Sequence, residues 1–463
     1  MVGLLRVAGT LVATGGAGRQ TARSPARLAV PCSDAMGTPT QIDLQPPRGT
    51  RDFYPEDMRV RSWLFDHFRE VSRRFGFEEV DAPVVEHAEL FTRKAGEEIV
   101  EQLFHFVLHD RHLALRPEMT PSIARMVLAR HGALRFPLRW FALTQNWRYE
   151  RMTRGRKREH YQWNMDVWGE PGVGAEAELL AAIALLFERL GLGPDAVRIR
   201  VNSRALLEET LRSGVLRDRP EAFAPLCVTI DKLSKIGADA VVDLLCEPTG
   251  PVRLERPEAK DVVGILGLRD LDEAARQAPA DSRAVADLRR LFELAGAYGY
   301  AEQLVFDASV VRGLAYYTGI VFEGFDTAGA LRAVCGGGRY DGLLETFGGP
   351  PTPAVGFGFG DVVIAELLAD RGLLPSLGRS VDALVFALSE AERGAAIGLA
   401  RRLRAQGASV ALAFGGKLKR ALEEADRAGA RRVYVLGPDE LARGQVRVRD
   451  RASGEQRDEP LGA

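Results

Sequence analysis

Two β-type runs, "LRWFALTQNWRYER" (138–151) and "REHYQWNMDVWG" (158–169), meet through Thr153, Arg154 and Gly155. That pairing is the pattern of an antiparallel hairpin, and it commits the chain to a sheet with antiparallel neighbours at its centre. Helical signals surround it. Val60, Trp63, Leu64, Phe68, Val71 and Phe75 recur at helical spacing until Gly76 interrupts them. In "LRPEMTPSIARMVLARHG", Thr120 is placed to cap a helix, Pro121 suits its first turn and Gly132 its end. Arg116 and Glu118 are left on the entering segment, where side chains often line a site. A long apolar helix ("AEAELLAAIALLFERLG") and a strand ("VRIRVN") follow. Strands return in "VVRGLAYYTGIVFEGF", a Gly-rich turn in "CGGGRYDGLL", and a closing unit in "PAVGFGFGDVVIAELLADRG". The fold class is α+β.

At 463 residues the chain exceeds what one hydrophobic core normally organises. We divide it into an N-terminal extension (1–40), a first part of a core domain (41–202), a mostly helical insertion (203–303), a second part of the core (304–370), a linker (371–380) and a C-terminal domain (381–463). The last alternates strand, helix, strand, helix, strand, as in a compact α/β unit of parallel-sheet type.

The hairpin tip poses a chemical question. Residues 146–162 hold six Arg or Lys side chains, although the whole chain balances 62 Lys+Arg against 63 Asp+Glu, a formal net charge of -1. No global basic field draws the chain onto nucleic acid, so any polyanion must be caught locally. Most Arg-rich loops are only solvated surface. Here, however, side chains two apart on a strand share a face, which sets Arg148 and Glu150 beside Gln162 and Asp166. A guanidinium fork pairs bidentately with phosphate or carboxylate, and a carboxylate beside it accepts from an amino group on a base. The combination suits a nucleotide better than a bare polyanion. Arg154, Arg156 and Lys157, at the tip, suit a longer phosphate backbone. Taken alone, the paired tyrosines of "VVRGLAYYTG" read more readily as sheet packing, although tyrosine hydroxyls also make good polar ends for a pocket with apolar walls. No Walker or dinucleotide-binding glycine motif is present.

Composition excludes other classes. With 46% hydrophobic and 27% charged residues the chain is neither disordered nor collagen-like. Cys32, Cys227, Cys246 and Cys335 have no metal-site spacing and read as reduced intracellular thiols. The opening stretch is Arg-containing and free of acidic residues, which fits either an organelle transit peptide or an upstream start with the functional chain opening near Met36. No segment is long and apolar enough to span a bilayer, so no membrane partner is expected.

The linked stretches "FGFEEVDAPVVEHAELF", "LRPEMT", "WRYERMTRGRKREHYQ", "VRGLAYYTGIVFE" and "GGGRYDGL" together resemble the histidyl-tRNA synthetase family of class II aminoacyl-tRNA synthetases, from "RGTRDFYPEDM" to "ARGQVRVRDRASGEQ". The resemblance implies a six-stranded antiparallel catalytic sheet, a homodimer through the first of these stretches, a helical insertion and a C-terminal anticodon-binding domain. By position it places Glu118 and Thr120 on the α-ammonium of L-histidine with Gln162 beside them. Asp166 and Tyr317 fall on the imidazole, with Tyr316 nearby. Arg148 would clamp the α-phosphate and the substrate carboxylate, Arg312 would face the α-phosphate from the other side, and Glu150 would take the adenine amino group. The implied partners are ATP with Mg²⁺, L-histidine and tRNA(His). No protein-held metal is implied, and the expected compartment is the cytoplasm, or an organelle if the extension is a transit peptide.

Two departures from the family pattern matter. Where the third class II motif usually ends in an Arg that contacts the ATP tail, this chain reads "GFGFGDVVI" with Val363 at that place, leaving Arg158 or Arg339 as substitutes. Ala315 stands where an Asp is common. A rival reading is a synthetase-like regulatory subunit that binds histidine without charging tRNA. A third is an RNA-binding module using the hairpin tip with Lys417, Lys419 and Arg420, which leaves Glu118, Asp166 and the tyrosine pair without a role.

Overall fold

In the computed structural model the described residues are 43–93, 100–312, 316–413 and 416–462. The N-terminal extension, Cys32 and Ala315 lie outside them. Eleven strands build the first part: β1 (Glu78–Glu79), β2 (Val85–His87), β3 (His105–Leu108), β4 (Arg111–Leu115), β5 (Leu138–Trp147), β6 (Glu159–Trp168), β7 (Val197–Ser203), β8 (Leu304–Phe306), β9 (Ile320–Asp326), β10 (Cys335–Arg339) and β11 (Ala354–Gly360). Eight of them form one sheet in the order β1-β5-β6-β11-β10-β9-β7-β8. Its six inner strands are antiparallel, and a parallel strand extends each edge, β1 along β5 and β8 along β7. A smaller sheet orders β2-β4-β3.

The expected hairpin is present: β5 and β6 pair antiparallel from Leu138 opposite Trp168 to Trp147 opposite Glu159. Two local readings need correction. Gly336 to Gly338 lie inside strand β10 and not in a turn. The helix Thr120–Arg130 begins at Thr120 itself, after Met119, and no side-chain hydrogen bond caps it; Pro121 supplies the first turn, where a missing N–H costs nothing.

One sheet face is covered by the helices Pro55–Arg74 and Gly174–Arg189. The first starts on Pro55 with Glu56 and Asp57 in its opening turn and ends with Arg73 and Arg74, the charge order that a helix dipole favours. Phe68 from this helix stacks on Trp163 of β6, with ring centroids 5.0 Å apart. Buried Ser72 accepts the Trp163 indole N–H at 2.9 Å and donates to the Phe68 carbonyl, so neither polar group is left unpaired in the core.

The helical run after β7 divides in its packing. Leu207, Leu211, Phe223, Leu226, Ile230, Val241 and Leu245 share a core of their own. The helix Arg283–Tyr298 instead joins the main core through Val285, Leu288 and Leu291. Its apolar stripe packs against the almost wholly buried helix Gly174–Arg189, which also meets the helix Pro55–Arg74.

The C-terminal sheet runs β13-β12-β14-β15-β16, with β12 (Val381–Ala387), β13 (Val410–Leu412) and β14 (Ala430–Leu436) parallel as expected. Two further strands, β15 (Gln445–Asp450) and β16 (Gln456–Pro460), continue it antiparallel. The alternation of Val446 and Val448 inward with Arg447 and Arg449 outward was the available signal for β15. Among the described residues no helix is long and apolar enough to cross a membrane. Cys227, Cys246 and Cys335 are free thiols.

Candidate active site

The other face of the sheet is bare at its centre. In β11 the alternation Gly356-Phe357-Gly358-Phe359-Gly360 puts glycines on one face and phenylalanines on the other. Gly336 and Gly338 of β10 stand opposite Gly358 and Gly356, extending the bare patch. Functional side chains from neighbouring segments lie directly on it. A Cβ on Gly336 would sit 2.7 Å from the Arg312 Cζ, one on Gly356 would sit 2.6 Å from the Tyr340 hydroxyl, and one on Gly358 would sit 2.6 Å from the Gln162 Cδ. Any side chain there would expel the groups that now occupy the floor.

Over this floor opens a solvent-facing cleft with a volume of about 150 Å³, lined among others by Arg148, Glu150, Gln162, Arg312, Glu323 and Arg332. Arg148 and Arg312 therefore face one space, although they are far apart in sequence. Arg148 donates to the Pro117 carbonyl at 3.0 Å and lies 3.9 Å from the Glu150 carboxylate. Arg312 is ion-paired with Glu323. Its φ of 61° is unusual for a residue with a side chain, and such a conformation costs on the order of 1 kcal/mol. Burial opposes the Arg312 charge, but Glu323 and the two tyrosines beside it hold the guanidinium firmly protonated.

Beside the cleft lies a buried slot. Asp166 is fully buried, and one carboxylate oxygen accepts the Tyr340 hydroxyl while the other has no hydrogen-bond partner. Burial pushes its pKa up to about 7, and nearby Glu118 adds to the rise. Tyr316 donates to Glu118 at 3.1 Å. Burial raises the Glu118 pKa as well, against the pull of Arg148 and Arg312. Tyr317 reaches this group through the Tyr340 ring, at 6.3 Å between centroids, and the Arg312 guanidinium stands 5.9 Å from its own ring. Thr120 is buried at the helix start beside Glu118. Gln162 accepts from Asn146 at 3.2 Å. An acid with an unused oxygen, phenols, and a second acid with two arginines nearby can together hold a small zwitterion that carries hydrogen-bond donors.

Several expected residues are placed differently. Arg116 is buried away from the cleft, donating to the carbonyls of Ala82 and Gln145. Arg339 has all its donors engaged, by both Glu176 oxygens, the Glu170 and Gly172 carbonyls and Asp341, and does not line the cleft. It is a structural arginine, tied to a carboxylate 163 residues earlier. Arg158 also lies outside the cleft lining; its guanidinium covers the Tyr149 ring at 3.7 Å and donates to the Arg48 carbonyl. Arg156 and Lys157 line the cleft instead of projecting from the hairpin tip, because the tip folds inward. Arg156 meets Glu150 at 2.6 Å. Arg154 does stay at the exposed tip, where it pairs with Glu366 and Asp370; exposed pairs of this kind contribute only about 0–1 kcal/mol.

Three residues of the site escaped the sequence reading. Tyr340 was visible only as part of "GGGRYDG". His160 lines the cleft, where burial and then Arg148 and Arg332 lower its pKa to about 3, so it is neutral. Arg332 belongs to no recognised pattern.

A family model described as Histidyl-tRNA synthetase matches residues 49–360, and one described as Anticodon binding domain matches 382–462. The chain is 51% identical to a chloroplastic/mitochondrial histidine–tRNA ligase of Arabidopsis thaliana, over 90% of this chain and 85% of that one. It is 39% identical to the histidine–tRNA ligase of Opitutus terrae, over 89% and 95%. Among solved structures, a histidyl-tRNA synthetase from Nostoc sp. PCC 7120 shares the fold at a TM-score of 0.72 and 23% identity, covering 91% of this chain and 97% of that one. With its bare glycine floor, its two arginines over one cleft and its buried acid–phenol slot, the chain belongs to the histidyl-tRNA synthetase family.

Proposed function

We propose that the chain ligates L-histidine to tRNA(His) in two steps, with ATP consumed in the first. A histidine carboxylate oxygen bonds to the α-phosphorus of ATP as the bond to the β-phosphate breaks. Histidyl-adenylate forms and pyrophosphate leaves. The acyl group then passes to the terminal ribose of the tRNA, releasing AMP. No protein nucleophile is required, so the protein's contribution is alignment and charge stabilisation.

The single observation carrying this reading is the shared cleft of Arg148 and Arg312 beside an Asp166 oxygen that has no partner. Arg148 holds the substrate carboxylate and α-phosphate from one side, and Arg312 faces the phosphorus from the other. Glu118 and Thr120, with Gln162, take the α-ammonium. The free Asp166 oxygen accepts an imidazole N–H, with Tyr317 and Tyr316 closing the slot; a side chain without that N–H would leave a buried acceptor unpaired, which is how polar slots reject near neighbours. Glu150 takes the adenine amino group. The carboxylates lining the cleft, Glu150 and Glu323, are each engaged by an arginine, so Mg²⁺ would be held chiefly through phosphate oxygens and would neutralise part of their charge.

Exposed Arg154 remains the tip residue for the tRNA backbone, and the C-terminal domain is the reader of the anticodon. A homodimer is supported by strand β3, an edge strand of its sheet that leaves Phe106, Val107 and Leu108 exposed; a second copy would cover them. Cytoplasmic placement belongs to the same reading, whereas an organelle placement predicts removal of the N-terminal extension, which N-terminal sequencing of the mature protein distinguishes.

Histidine-dependent exchange between ATP and pyrophosphate, followed by charging of tRNA(His), tests the reading. Histidine binding without exchange would favour a regulatory subunit instead.

A further inference from the structure

We infer that Arg332 is the cation that holds the β- and γ-phosphates of ATP, taking over the part of the arginine that Val363 replaces. The inference rests on the adenylation reading above and specifies which side chain grips the leaving group.

Val363 and Arg332 occupy one corner of the cleft. The point where a Cβ on Gly155 would stand is 3.3 Å from the Val363 Cγ2 and 3.7 Å from the Arg332 Cγ. The Arg332 stem and the short valine side chain thus flank the same point above Gly155. A long side chain at 363 would compete with Arg332 for that space, so the small residue and the displaced arginine make sense as a pair.

Charge points the same way. Arg148, Arg156, Lys157, Arg312 and Arg332 line the cleft, against the carboxylates of Glu150 and Glu323, and neutral His160 adds nothing. Glu150 is engaged by Arg156 and Arg148, and Glu323 by Arg312. Arg332 has no ion pair or hydrogen bond among the described residues. Arg332 keeps part of its side chain exposed to solvent; the surrounding protein and the like charges of Arg156, Arg148 and Arg312 lower its pKa against the pull of Glu150, and it stays charged at neutral pH. A fork-shaped cation crowded by other cations and lacking an anion of its own is a phosphate seat. Arg339 is saturated by Glu176 and backbone carbonyls, and Arg158 lies over Tyr149; Lys157 also lines the cleft without an ion pair among the described residues, but it is a point charge without the guanidinium fork.

During adenylation the Pα–O bond to the β-phosphate breaks and pyrophosphate leaves with that electron pair. A guanidinium on the β- and γ-oxygens stabilises the charge gathering there, but it touches nothing that remains in histidyl-adenylate. That asymmetry supplies the test. In Arg332→Ala the ATP KM for exchange should rise about tenfold or more, the effect of losing one charge-assisted contact, while the histidine KM stays within about twofold on the same scale. Calorimetric titration with magnesium pyrophosphate should show the same loss without requiring turnover. A non-hydrolysable sulfamoyl analogue of histidyl-adenylate, which has no phosphate tail, should bind as it does to the unaltered chain. Arg332→Lys, which keeps the charge and loses the fork, should fall between, and Val363→Arg added to Arg332→Ala should recover ATP affinity. An unchanged ATP KM and pyrophosphate affinity in both Arg332 variants, or equal weakening of the adenylate analogue, would overturn the assignment. Failure of the unaltered chain to exchange would refute the parent reading instead, and the pyrophosphate titration would still decide the role of Arg332.

Discussion

Replacing Asp166 with asparagine separates what this residue does for binding from what it costs the fold. The carboxyl is fully buried, accepts the Tyr340 hydroxyl with one oxygen, and presents the other to no partner. Burial raises its pKa from 3.8 to about 7. Between those values the native state keeps a proton that the unfolded chain has released, so stability falls as pH climbs through that window. Above pH 7 the full penalty corresponds to ~4 kcal/mol, taking ~1.36 kcal/mol for each tenfold change in acidity. An asparagine in its place would carry no charge at any pH, its carbonyl could still accept from Tyr340, and its unpartnered amide would cost ~1–3 kcal/mol. Asp166→Asn should therefore be more stable than the unaltered chain by about 2 kcal/mol at pH 8.5, and the two should lie within about 1 kcal/mol at pH 5, where Asp166 is already neutral. Urea unfolding at both pH values measures this. Histidine binding should move the other way, weakening roughly 10- to 150-fold as a charge-assisted acceptor is lost. An equal stability difference at the two pH values, or a variant that is less stable at pH 8.5, would refute the electrostatic account.

Arg312→Ala should keep the fold and cut adenylate formation about 10²-fold, as expected when a preorganised charge facing the transition state is removed; near-normal single-turnover rates would count against its place over the phosphorus. Gly358→Ala displaces the flexible end of Gln162, not backbone, so unfolding should change little while the histidine KM rises roughly tenfold through a lost hydrogen bond. Steady-state kinetics with varied histidine checks that split. Arg339→Ala should behave as a stability variant: it strands buried Glu176 and should cost about 3–5 kcal/mol in urea unfolding, with no selective effect on the ATP KM. A selective ATP defect in a well-folded Arg339→Ala would restore the residue to the cleft.

The legible features were those written in local periodicity. The hairpin β5–β6 announces itself through strand patterning, and the helix Pro55–Arg74 through its apolar spacing and its stop at Gly76. Arg148 and Glu150 do line one cleft, but not through strand alternation: β5 ends at Trp147, so both lie on the irregular segment that follows it. What stayed hidden depends on encounters between distant segments. Arg339 carries the same charge as Arg332, and only the position of Glu176 makes one structural while the other faces the cleft. The inward turn of Arg156 follows from its pairing with Glu150, which no spacing rule supplies. The repeated glycines were visible, but their purpose was not: "CGGGR" and "GFGFG" are neighbouring strands whose glycines face one another, a relation that exists only once the sheet has formed.

The smooth patch at the centre of that sheet limits how the amino-acid slot could be remodelled. A surface with no side chains cannot be enlarged by trimming, and any addition to it ejects Arg312, Gln162 or the Asp166–Tyr340 pair. Its height is set from behind, where Phe357 and Phe359 press on Trp163 with ring centroids 4.9 and 5.9 Å away. Anyone seeking to admit a larger amino acid would have to move the walls or thin this aromatic backing, and the second route would tilt every group resting on the glycines at once.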